Sequence, residues 1–303
     1  MGKRMLLPAA EPLDVLTPAE YECEGDEVMK CIGVIRNSDK QKSAVIAQRI
    51  SDYLGIRGIG CEISTDGDGL SKDCECALVL GGDGTLLRAS KAVNRRQLPL
   101  LGINLGTLGY LAEIDTPNLY PALDHLIAGD YTVERRMMLY GEVFHAGEKV
   151  FSDVALNDIV LSRNAPIRTF SFLNYVNSEY LNTYKADGVI VCTPTGSTGY
   201  SLSVGGPIVS PSAELMVMTP VASHSLISRS IILPGQDYVR VEIGEGRTGL
   251  ESDVAVVSFD GNIGVHLGTG DSVEIRRSPS YASIIKINNV SFVEVLRKKM
   301  ASE

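Results

Sequence analysis

Ala77-Leu-Val-Leu-Gly-Gly-Asp83-Gly-Thr-Leu-Leu-Arg-Ala89 is the stretch that decides how this chain folds. Its first four residues are apolar and stop at two glycines, which is typical of a short, buried parallel strand. The apolar spacing after the turn predicts a helix with one apolar side. A strand that enters a helix through glycines brings bare backbone N–H groups to its C-terminal edge, and such groups suit a phosphate. The stretch therefore predicts an open α/β sheet with an anion site at a strand end.

Asp83 is the informative residue of this turn. A carboxylate in a phosphate site makes chemical sense if it takes a proton from a hydroxyl that attacks a phosphate, or if it helps to hold Mg²⁺. We expect the turn to contact a phosphate donor through Gly81, Gly82, Gly84 and Thr85. The alternative is an acidic turn that only caps the helix. The turn matches neither the P-loop pattern nor the G-x-G-x-x-G dinucleotide pattern.

The composition is that of a globular protein with room for two modest domains. The chain has 303 residues, of which 44% are hydrophobic and 21% charged, and its net charge is −9. This charge argues against a general nucleic-acid binder, which is normally basic. No stretch approaches 18 apolar residues, and the apolar N-terminal run stops at Pro8, so we expect neither a membrane span nor a signal peptide. Six cysteines without a C-x-x-C pattern predict free thiols and a cytoplasmic protein.

The chain divides by pattern into an α/β part and a β-rich part. Residues 1–27 carry prolines and acids and predict an N-terminal arm. Residues 28–127 alternate strand and helix patterns and predict a doubly wound α/β domain, in which a second glycine turn, Gly102-Ile-Asn-Leu-Gly-Thr-Leu-Gly-Tyr110, follows a strand. Residues 128–278 carry short runs rich in Val, Ile, Thr and Tyr and predict a β-rich domain. Residues 279–303 predict a strand and a short helix that return to the α/β domain.

The individual elements follow from the same patterns. For the α/β part we predict strands over Cys31–Ile35, Cys61–Ile63, Ala77–Leu80 and Pro99–Ile103, and helices over Ser38–Leu54 and Asn118–Ile127. For the β-rich part and the C-terminus we predict, among others, strands over Val150–Leu156, Asp158–Leu161, Gly188–Cys192, Tyr238–Ile243, Ser272–Arg276 and Ser283–Ile287, and a helix over Phe292–Lys299.

A run of hydroxyl and glycine residues is the second strong pattern of the chain. Seven of the 11 residues from Thr193 to Ser203 carry a hydroxyl, and a strongly apolar strand leads directly into them. A strand that ends in polar side chains makes a rigid binding site for a polar ligand, whereas the plain alternative is a polar surface loop. Asp187 enters the same strand from its other end.

Three further candidates carry less information on their own. Asn157-Asp158 lies between two strand-like runs and equally describes a turn. Lys185 is a candidate phosphate contact, and the alternative is a solvated lysine. His224 is a candidate site residue, and the alternative is a packed or capping histidine. No G-x-S-x-G stretch accompanies them, and no His/Cys spacing suggests a structural metal, so we assign no protein metal ligands.

Taken together, these motifs resemble the NAD kinase family from about Cys31 to Lys299. The resemblance is carried by the turn around Asp83, by Gly102–Tyr110, by Asn157-Asp158 and, most specifically, by Asp187-Gly-Val-Ile-Val-Cys-Thr-Pro-Thr-Gly-Ser-Thr-Gly-Tyr-Ser-Leu-Ser-Val-Gly-Gly-Pro207. Phosphofructokinases and lipid kinases share a Gly-Gly-Asp-Gly turn but not this last motif. The resemblance implies a doubly wound α/β N-terminal domain and a β-sandwich-like C-terminal domain, with NAD bound between them.

The resemblance also implies a reaction and roles for individual residues. The reaction is phosphorylation of the 2′-hydroxyl of the adenosine ribose of NAD to give NADP, with ATP or polyphosphate as the donor, a divalent cation such as Mg²⁺, and a homodimer or homotetramer as the assembly. Asp83 is expected to be the base. The implied NAD-binding residues are Gly84, Tyr110, Asn157, Asp158, Lys185, Asp187, Thr195, Thr198, Gly199, Tyr200, Ser203 and His224.

The sequence departs from the family pattern at a few positions. Gly199 replaces the usual alanine and is expected to loosen the backbone beside the pocket. Tyr110 replaces the usual phenylalanine, and Asn262 stands where glutamine is common, which leaves the preference for NAD or NADH open. The alternatives are a non-catalytic NAD(P) sensor, a Gly-Gly-Asp-Gly kinase for another hydroxyl such as a lipid or nucleoside, and a structural α/β protein that leaves both motifs unexplained.

Overall fold

The structure is a computed structural model that describes residues 29–37, 41–106, 109–163, 170–223, 229–244, 255–288 and 290–301. The helices in these ranges are α1 (Gln41–Ile56), α2 (Asp83–Ala92), α3 (Leu119–Ile127), α4 (Tyr200–Ser203) and α5 (Phe292–Met300). The strands of the first half are β1 (Cys31–Arg36), β2 (Gly60–Ser64), β3 (Cys76–Gly81), β4 (Leu100–Asn104) and β5 (Ile114–Asp115). Those of the second half are β6 (Thr132–His145), β7 (Glu148–Ala155), β8 (Asp158–Arg163), β9 (Phe170–Val176), β10 (Glu179–Ala186), β11 (Gly188–Cys192), β12 (Leu215–Val221), β13 (Ile231–Pro234), β14 (Tyr238–Ile243), β15 (Ala255–Phe259), β16 (Asn262–Leu267) and β17 (Ser272–Lys286).

The first half of the chain forms a parallel sheet with helices on both faces. The strand order is β2-β1-β3-β4, and each neighbouring pair is parallel. β3 is buried at every residue because both of its faces are covered, which is why its sequence is continuously apolar. α1 and α3 pack on one face, and α2 packs on the other through Leu86 and Ala89. The strands end at one edge of the sheet, and Asp83 begins α2 at that edge.

One long strand, β17, joins this parallel sheet to an antiparallel one. It pairs with β14 and β6 over its first part, and Ile284 lies opposite Leu100 of β4 in its last part. Between Arg277 and Tyr281 its register against β6 shifts, so Pro279 and its two neighbours lie opposite one residue of β6. A bulge can accept proline because no ladder N–H is needed there. Eleven of the described strands thus form one sheet that runs through both halves.

The second half is a two-layer β structure. A six-stranded sheet with the order β13-β12-β11-β8-β15-β16 faces the antiparallel part of the long sheet. One core cluster contains residues of both layers, including Val189 and Val191 of β11 and Val239 and Val241 of β14. Alternate residues of these strands point into this core, as expected for strands with one face inside a sandwich. The expected combination of a doubly wound α/β part and a β-sandwich-like part is confirmed.

The structure corrects two details of the sequence prediction and adds one. The two strands predicted over Ser272–Arg276 and Ser283–Ile287 are the two ends of β17. The hydroxyl-rich run, for which a polar surface loop was the alternative, forms a turn of 3₁₀ helix over Thr195–Thr198 that leads directly into α4. β12 and β16 were not predicted, and β12 includes Pro220, which normally argues against a strand inside a sheet.

The expected arm over residues 1–27 and the expected first residues of α1 lie outside the described residues. The domain boundaries given above stay a prediction. In the described ranges, no helix combines the length and the apolar character that crossing a membrane requires.

Candidate active site

Asp83 connects the two glycine turns. It is the first residue of α2, and only Gly82 separates it from Gly81, the last residue of β3. Its carboxylate accepts a hydrogen bond from each of two backbone N–H groups of the second turn, at 2.8 Å from Tyr110 to Oδ2 and at 3.1 Å from Leu111 to Oδ1. Gly109 lies so close to this carboxylate that a Cβ atom there would overlap it. The two turns predicted at neighbouring strand ends therefore form one structure around a single carboxylate.

The glycines beside Asp83 differ in what they do. Gly81 has no room for a side chain, because the buried Thr85 side chain packs against it. Gly82 and Gly84 face open space, and Gly82 caps α2 without offering a side chain to its N–H groups. The start of α2 thus presents backbone amides on a surface clear of side chains, an arrangement that suits phosphate oxygens.

The hydroxyl-rich motif begins where β11 ends, and several of its hydroxyls bond within the motif. The donor and acceptor pairs are Ser197 to the Pro194 carbonyl at 2.6 Å, Thr198 to the Thr195 carbonyl at 3.1 Å and Ser203 to the Tyr200 carbonyl at 2.8 Å. Ser197 is fully buried and so supports the turn, whereas Thr198 is half-buried and Ser203 exposed. A hydroxyl that donates keeps its acceptor lone pairs, so Thr198 and Ser203 can still accept hydrogen bonds from a ligand.

Asn157 and Asp158 are bound directly to this motif. The backbone N–H of Thr193 donates to the Asn157 carbonyl at 2.8 Å, and a Cβ at Gly196 would overlap that carbonyl. A Cβ at Gly199 would lie 3.4 Å from Asn157 Nδ2 and 4.0 Å from Asp158 Oδ2. Residues far apart in the sequence thus make one polar unit at the end of β11.

Asp158 is the buried acid of this unit, with 6% of its surface exposed. The pKa of Asp158 is raised to about 7. Burial is the main cause, and the negative charge of Asp260 is the second. Removing a carboxylate from water disfavours its charged form, and a second negative charge adds to that effect. An acid that titrates near neutral pH in a cleft is a frequent feature of functional sites.

Two cavities are lined by residues that adjoin or contact the Asp83 turn. One, of about 60 Å³, is lined by residues of both glycine-rich regions and of the C-terminal helix, including Tyr110, Arg136, Thr195, Thr198 and Phe292. The other, of about 420 Å³, lies beyond the ends of β1 and β2 and is lined by Ile35, Arg36, Asn37, Thr65, Asp66, Thr85, Arg88 and Ala89. The first cavity joins Tyr110, which bonds to Asp83, with the hydroxyl motif. The second carries two arginines beside Thr85, one of the residues predicted to contact the donor.

Arg136 is a site residue that the sequence analysis missed. Only 7% of it is exposed, and its guanidinium donates to Glu134 at 2.7 Å and to the Thr195 hydroxyl at 3.4 Å. Its Nε has no hydrogen-bond partner among the described residues. In the sequence it is one of two adjacent arginines in a strand, and nothing in that pattern marks it as buried.

Lys185 and Asp187 lie away from the polar unit. Asp187 precedes the first residue of β11, whereas the motif follows the last, and five strand residues span about 17 Å. Asp187 forms an ion pair with Arg163 at 3.1 Å, and Lys185 is exposed. One copy of the chain does not bring these two residues to Asp83, so their predicted contact with NAD stays a prediction. His224 lies outside the described residues.

The one three-residue cluster of His, Cys, Asp and Glu side chains in the described ranges that could hold a metal ion is not at this site. It consists of Cys31, Glu62 and Cys74 and lies where β1 and β3 begin, at the edge of the sheet opposite Asp83. The Cys31 and Cys74 sulfur atoms are 3.2 Å apart, and both thiols are free. At the glycine turn, the Asp83 carboxylate is the group that could bind a hard cation.

Comparison with known families decides the classification. Residues 68–131 match the ATP-NAD kinase N-terminal domain, and residues 156–287 match the ATP-NAD kinase C-terminal domain. The chain belongs to the NAD kinase family. The two matched regions contain Asp83, both glycine turns, Asn157-Asp158 and the hydroxyl motif. The match to the family therefore includes these residues of the candidate site.

Relatives and solved structures agree with this classification. This family member is 39% identical over 293 residues to the NAD kinase of Lachnospira eligens, covering 90% of this chain and 100% of the relative. It is 42% identical to the NAD kinase of Agathobacter rectalis, covering 90% and 99%. Among solved structures, its fold matches yeast NADH kinase complexed with NADH with a TM-score of 0.81 at 23% identity, covering 90% and 88%. It also matches an NAD kinase from Archaeoglobus fulgidus in complex with ATP, with a TM-score of 0.73 at 24% identity, covering 90% and 99%.

Proposed function

We propose that this chain is an NAD kinase that transfers the γ-phosphoryl group of ATP to the 2′-hydroxyl of the adenosine ribose of NAD. The observation that carries the proposal is the position of Asp83, whose carboxylate is held by the Tyr110 and Leu111 amides at the start of α2. Tyr110 and Leu111, whose amides hold this carboxylate, line the cavity that also includes Thr195 and Thr198 of the hydroxyl motif. Family membership and the names of the relatives support the same reaction.

In this reaction Asp83 acts as a general base. It accepts the proton of the ribose 2′-hydroxyl while the 2′-oxygen forms a bond to the γ-phosphorus, and the bond from that phosphorus to the β,γ-bridging oxygen breaks to release ADP. Two backbone hydrogen bonds fix the carboxylate, so it need not reorganise when the substrate arrives. Positioning supplies most of the rate in phosphoryl transfer, and a base contributes about 10²- to 10⁴-fold.

The acceptor is assigned to the polar unit and the donor to the glycine turn. Asn157, Asp158 and Thr198 would hold the adenosine with its ribose facing Asp83. The open amides around Gly82 and the cavity that contains Arg36 and Arg88 would take the phosphates of the donor. The solved structure with ATP supports ATP as the donor, and polyphosphate remains the second donor to test.

A divalent cation fits this site in the manner that Mg²⁺ prefers. Mg²⁺ usually keeps several waters and binds through one or two carboxylates together with substrate phosphates. Asp83 offers one such carboxylate beside the proposed phosphate position, and a bound Mg²⁺ would neutralise charge on the donor phosphates. We further propose a cytoplasmic location, supported by five free cysteines in the described ranges, and a homodimer or homotetramer.

The decisive experiment is a coupled assay with purified protein, NAD, ATP and Mg²⁺, in which an NADP-specific dehydrogenase detects the product. We expect NADP formation to fall about 10²- to 10⁴-fold in Asp83→Asn with an unchanged fold. Asp73→Asn, an exposed aspartate in the loop before β3, is the matched control and should retain activity.

Three outcomes would contradict parts of the proposal. A folded Asp83→Asn protein with full activity removes the base assignment. A wild-type chain that binds NADP in calorimetry but turns over with neither ATP nor polyphosphate is a sensor. A chain that neither turns over nor binds NADP lacks the proposed function altogether.

A further inference from the structure

Asp260 lies in the turn between β15 and β16 and holds the loop that leads into β8. Its carboxylate accepts hydrogen bonds from three consecutive backbone N–H groups, at 2.8 Å from Leu156, 2.7 Å from Asn157 and 3.2 Å from Asp158. Its own backbone N–H donates to the Asp158 carbonyl at 3.0 Å. Four hydrogen bonds therefore join this loop to a single residue from a strand pair about 100 residues later in the chain.

The backbone at Asp260 limits which residues can stand there. Its φ is +52°, and that of the following Gly261 is +76°. Aspartate and asparagine adopt this left-handed conformation more readily than other residues with a side chain. Asparagine therefore fits the turn, so Asp260→Asn changes the charge and the hydrogen bonding without opposing the backbone.

The loop held by Asp260 is also fixed from the opposite side. The Thr193 hydroxyl donates to the Leu156 carbonyl at 2.6 Å, and the Thr193 N–H donates to the Asn157 carbonyl at 2.8 Å. Three N–H groups of the loop and the Asp158 carbonyl thus face Asp260, while the carbonyl groups of Leu156 and Asn157 face Thr193 of the hydroxyl motif. With the backbone bound on both sides, the directions of the Asn157 and Asp158 side chains follow from these contacts.

We propose that Asp260 is a positioning residue for the acceptor nucleotide: its carboxylate fixes the backbone of residues 156–158 so that Asn157 and Asp158 present their side chains to NAD. This inference rests on the proposed function, because it assigns the two side chains to the acceptor. It adds a residue from β15 and β16, which no contact with substrate would have identified. Asp260 acts through the loop and need not touch the nucleotide.

The charge of Asp260 gives this role an electrostatic readout. Burial raises the pKa of Asp260, and the three amides and Lys91 oppose that shift. The other ionisable groups around the two carboxyls are Lys91 of α2, which is ion-paired with Asp153 of β7, and the Cys192 thiol of β11. Because the charge of Asp260 helps to raise the pKa of Asp158, Asp260→Asn should lower it.

The experiment compares Asp260→Asn with Asp271→Asn. Asp271 is a matched control, since it also accepts a backbone N–H in a turn of the β-rich part, from Gly268 at 2.7 Å, but does not touch the site. An asparagine at 260 presents an N–H₂ group to backbone N–H groups, so at least one hydrogen bond to a charged acceptor is lost. We expect the KM for NAD and the dissociation constant of NADP to rise about 10- to 100-fold, while the KM for ATP changes by less than about 3-fold.

The pH profile separates positioning from simple support of the fold. In wild type, kcat/KM for NAD should change near pH 7 as Asp158 ionises, and in Asp260→Asn that change should move to lower pH. The proposal would be overturned if Asp260→Asn raised KM for NAD and KM for ATP equally. It would also be overturned if Asp260→Asn had the pH profile of wild type and an unchanged KM for NAD. Calorimetry with NADP tests the proposal even if no turnover is seen. A chain that binds NADP without catalysis still gives the ratio of the NADP dissociation constants of Asp260→Asn and wild type. A chain that binds no NADP overturns both proposals.

Discussion

Replacing Gly109 with alanine tests whether the two backbone hydrogen bonds to the Asp83 carboxylate are needed for activity. A Cβ at Gly109 would overlap the Asp83 carboxylate, much closer than the 3.0 Å that real Cβ atoms keep. The backbone of Gly109 is not left-handed, so alanine meets no conformational penalty there. The added methyl group must therefore push the carboxylate away from the Tyr110 and Leu111 amides. The change is the smallest one that moves Asp83 without altering its chemistry.

The size of the effect follows from the two hydrogen bonds to Asp83, at 2.8 Å and 3.1 Å. A hydrogen bond to a charged group contributes about 1.5–3 kcal/mol, so losing one or both costs about 1.5–6 kcal/mol of carboxylate positioning. If that positioning is needed in the transition state, kcat/KM falls about 10-fold to 10⁴-fold. Part of the loss returns if water replaces the amides, which is why the lower end of this range is the conservative expectation.

The coupled NADP assay measures this loss, with thermal unfolding as the check on the fold. Gly106→Ala is the matched control, because Gly106 is exposed in the same turn and a Cβ there meets nothing within 4 Å. We expect Gly106→Ala to keep activity within about 3-fold. If a folded Gly109→Ala protein works as well as Gly106→Ala, the two amides do not position the base and the reasoning fails.

Two more predictions concern the polar unit. Asp158 has a folded pKa of about 7 against about 3.9 in an unfolded chain, so the folded state keeps a proton that the unfolded state releases, and stability falls as pH rises from about 4 to 7. Asp158→Asn should remove this fall, so its free energy of unfolding should rise relative to that of wild type by up to about 4 kcal/mol between pH 4 and pH 8. Urea unfolding without nucleotide measures this difference. A difference that does not vary with pH would contradict the shifted pKa. Gly199→Ala should cost a modest amount of stability, because its Cβ would lie 3.3 Å from the Gly196 carbonyl oxygen and 3.4 Å from Asn157 Nδ2, so these neighbours must shift by a few tenths of an ångström. Its KM for NAD should stay within about 3-fold of wild type and its unfolding free energy within about 1 kcal/mol, and a larger loss would mean that this backbone needs glycine.

The sequence predicted best what short-range patterns determine. The apolar run into Gly81 and Gly82 identified β3 to within one residue at each end and predicted that a helix follows it, because a buried parallel strand and an amphipathic helix have distinct periods. The strand Gly188–Cys192 was predicted with its observed ends, since polar residues follow it directly. The candidate residues Asp83, Asn157, Asp158 and Thr198 were found through motifs, and their roles stay predictions.

What the sequence did not predict depends on contacts between distant residues. β17 looked like two strands because Ser278-Pro279-Ser280 interrupts its pattern, and only pairing with β6 shows that a bulge absorbs them. Arg136 is buried because it meets Thr195, 59 residues away. No role was predicted for Asp260, because its proposed role depends on three amides that lie about 100 residues earlier in the chain.

The position of β17 has a consequence for how the chain reaches its native state during synthesis. β1 to β4 emerge from the ribosome well before β17, which begins at Ser272 and pairs with the far side of β4. A parallel sheet with an unpaired edge strand folds slowly, and that edge can pair with non-native strands until the last strand of the sheet has been made. The nascent chain therefore holds the glycine turn around Asp83 in an unfinished sheet until β17 has been translated. Truncations that remove β17 should yield aggregating fragments rather than a smaller, folded N-terminal domain.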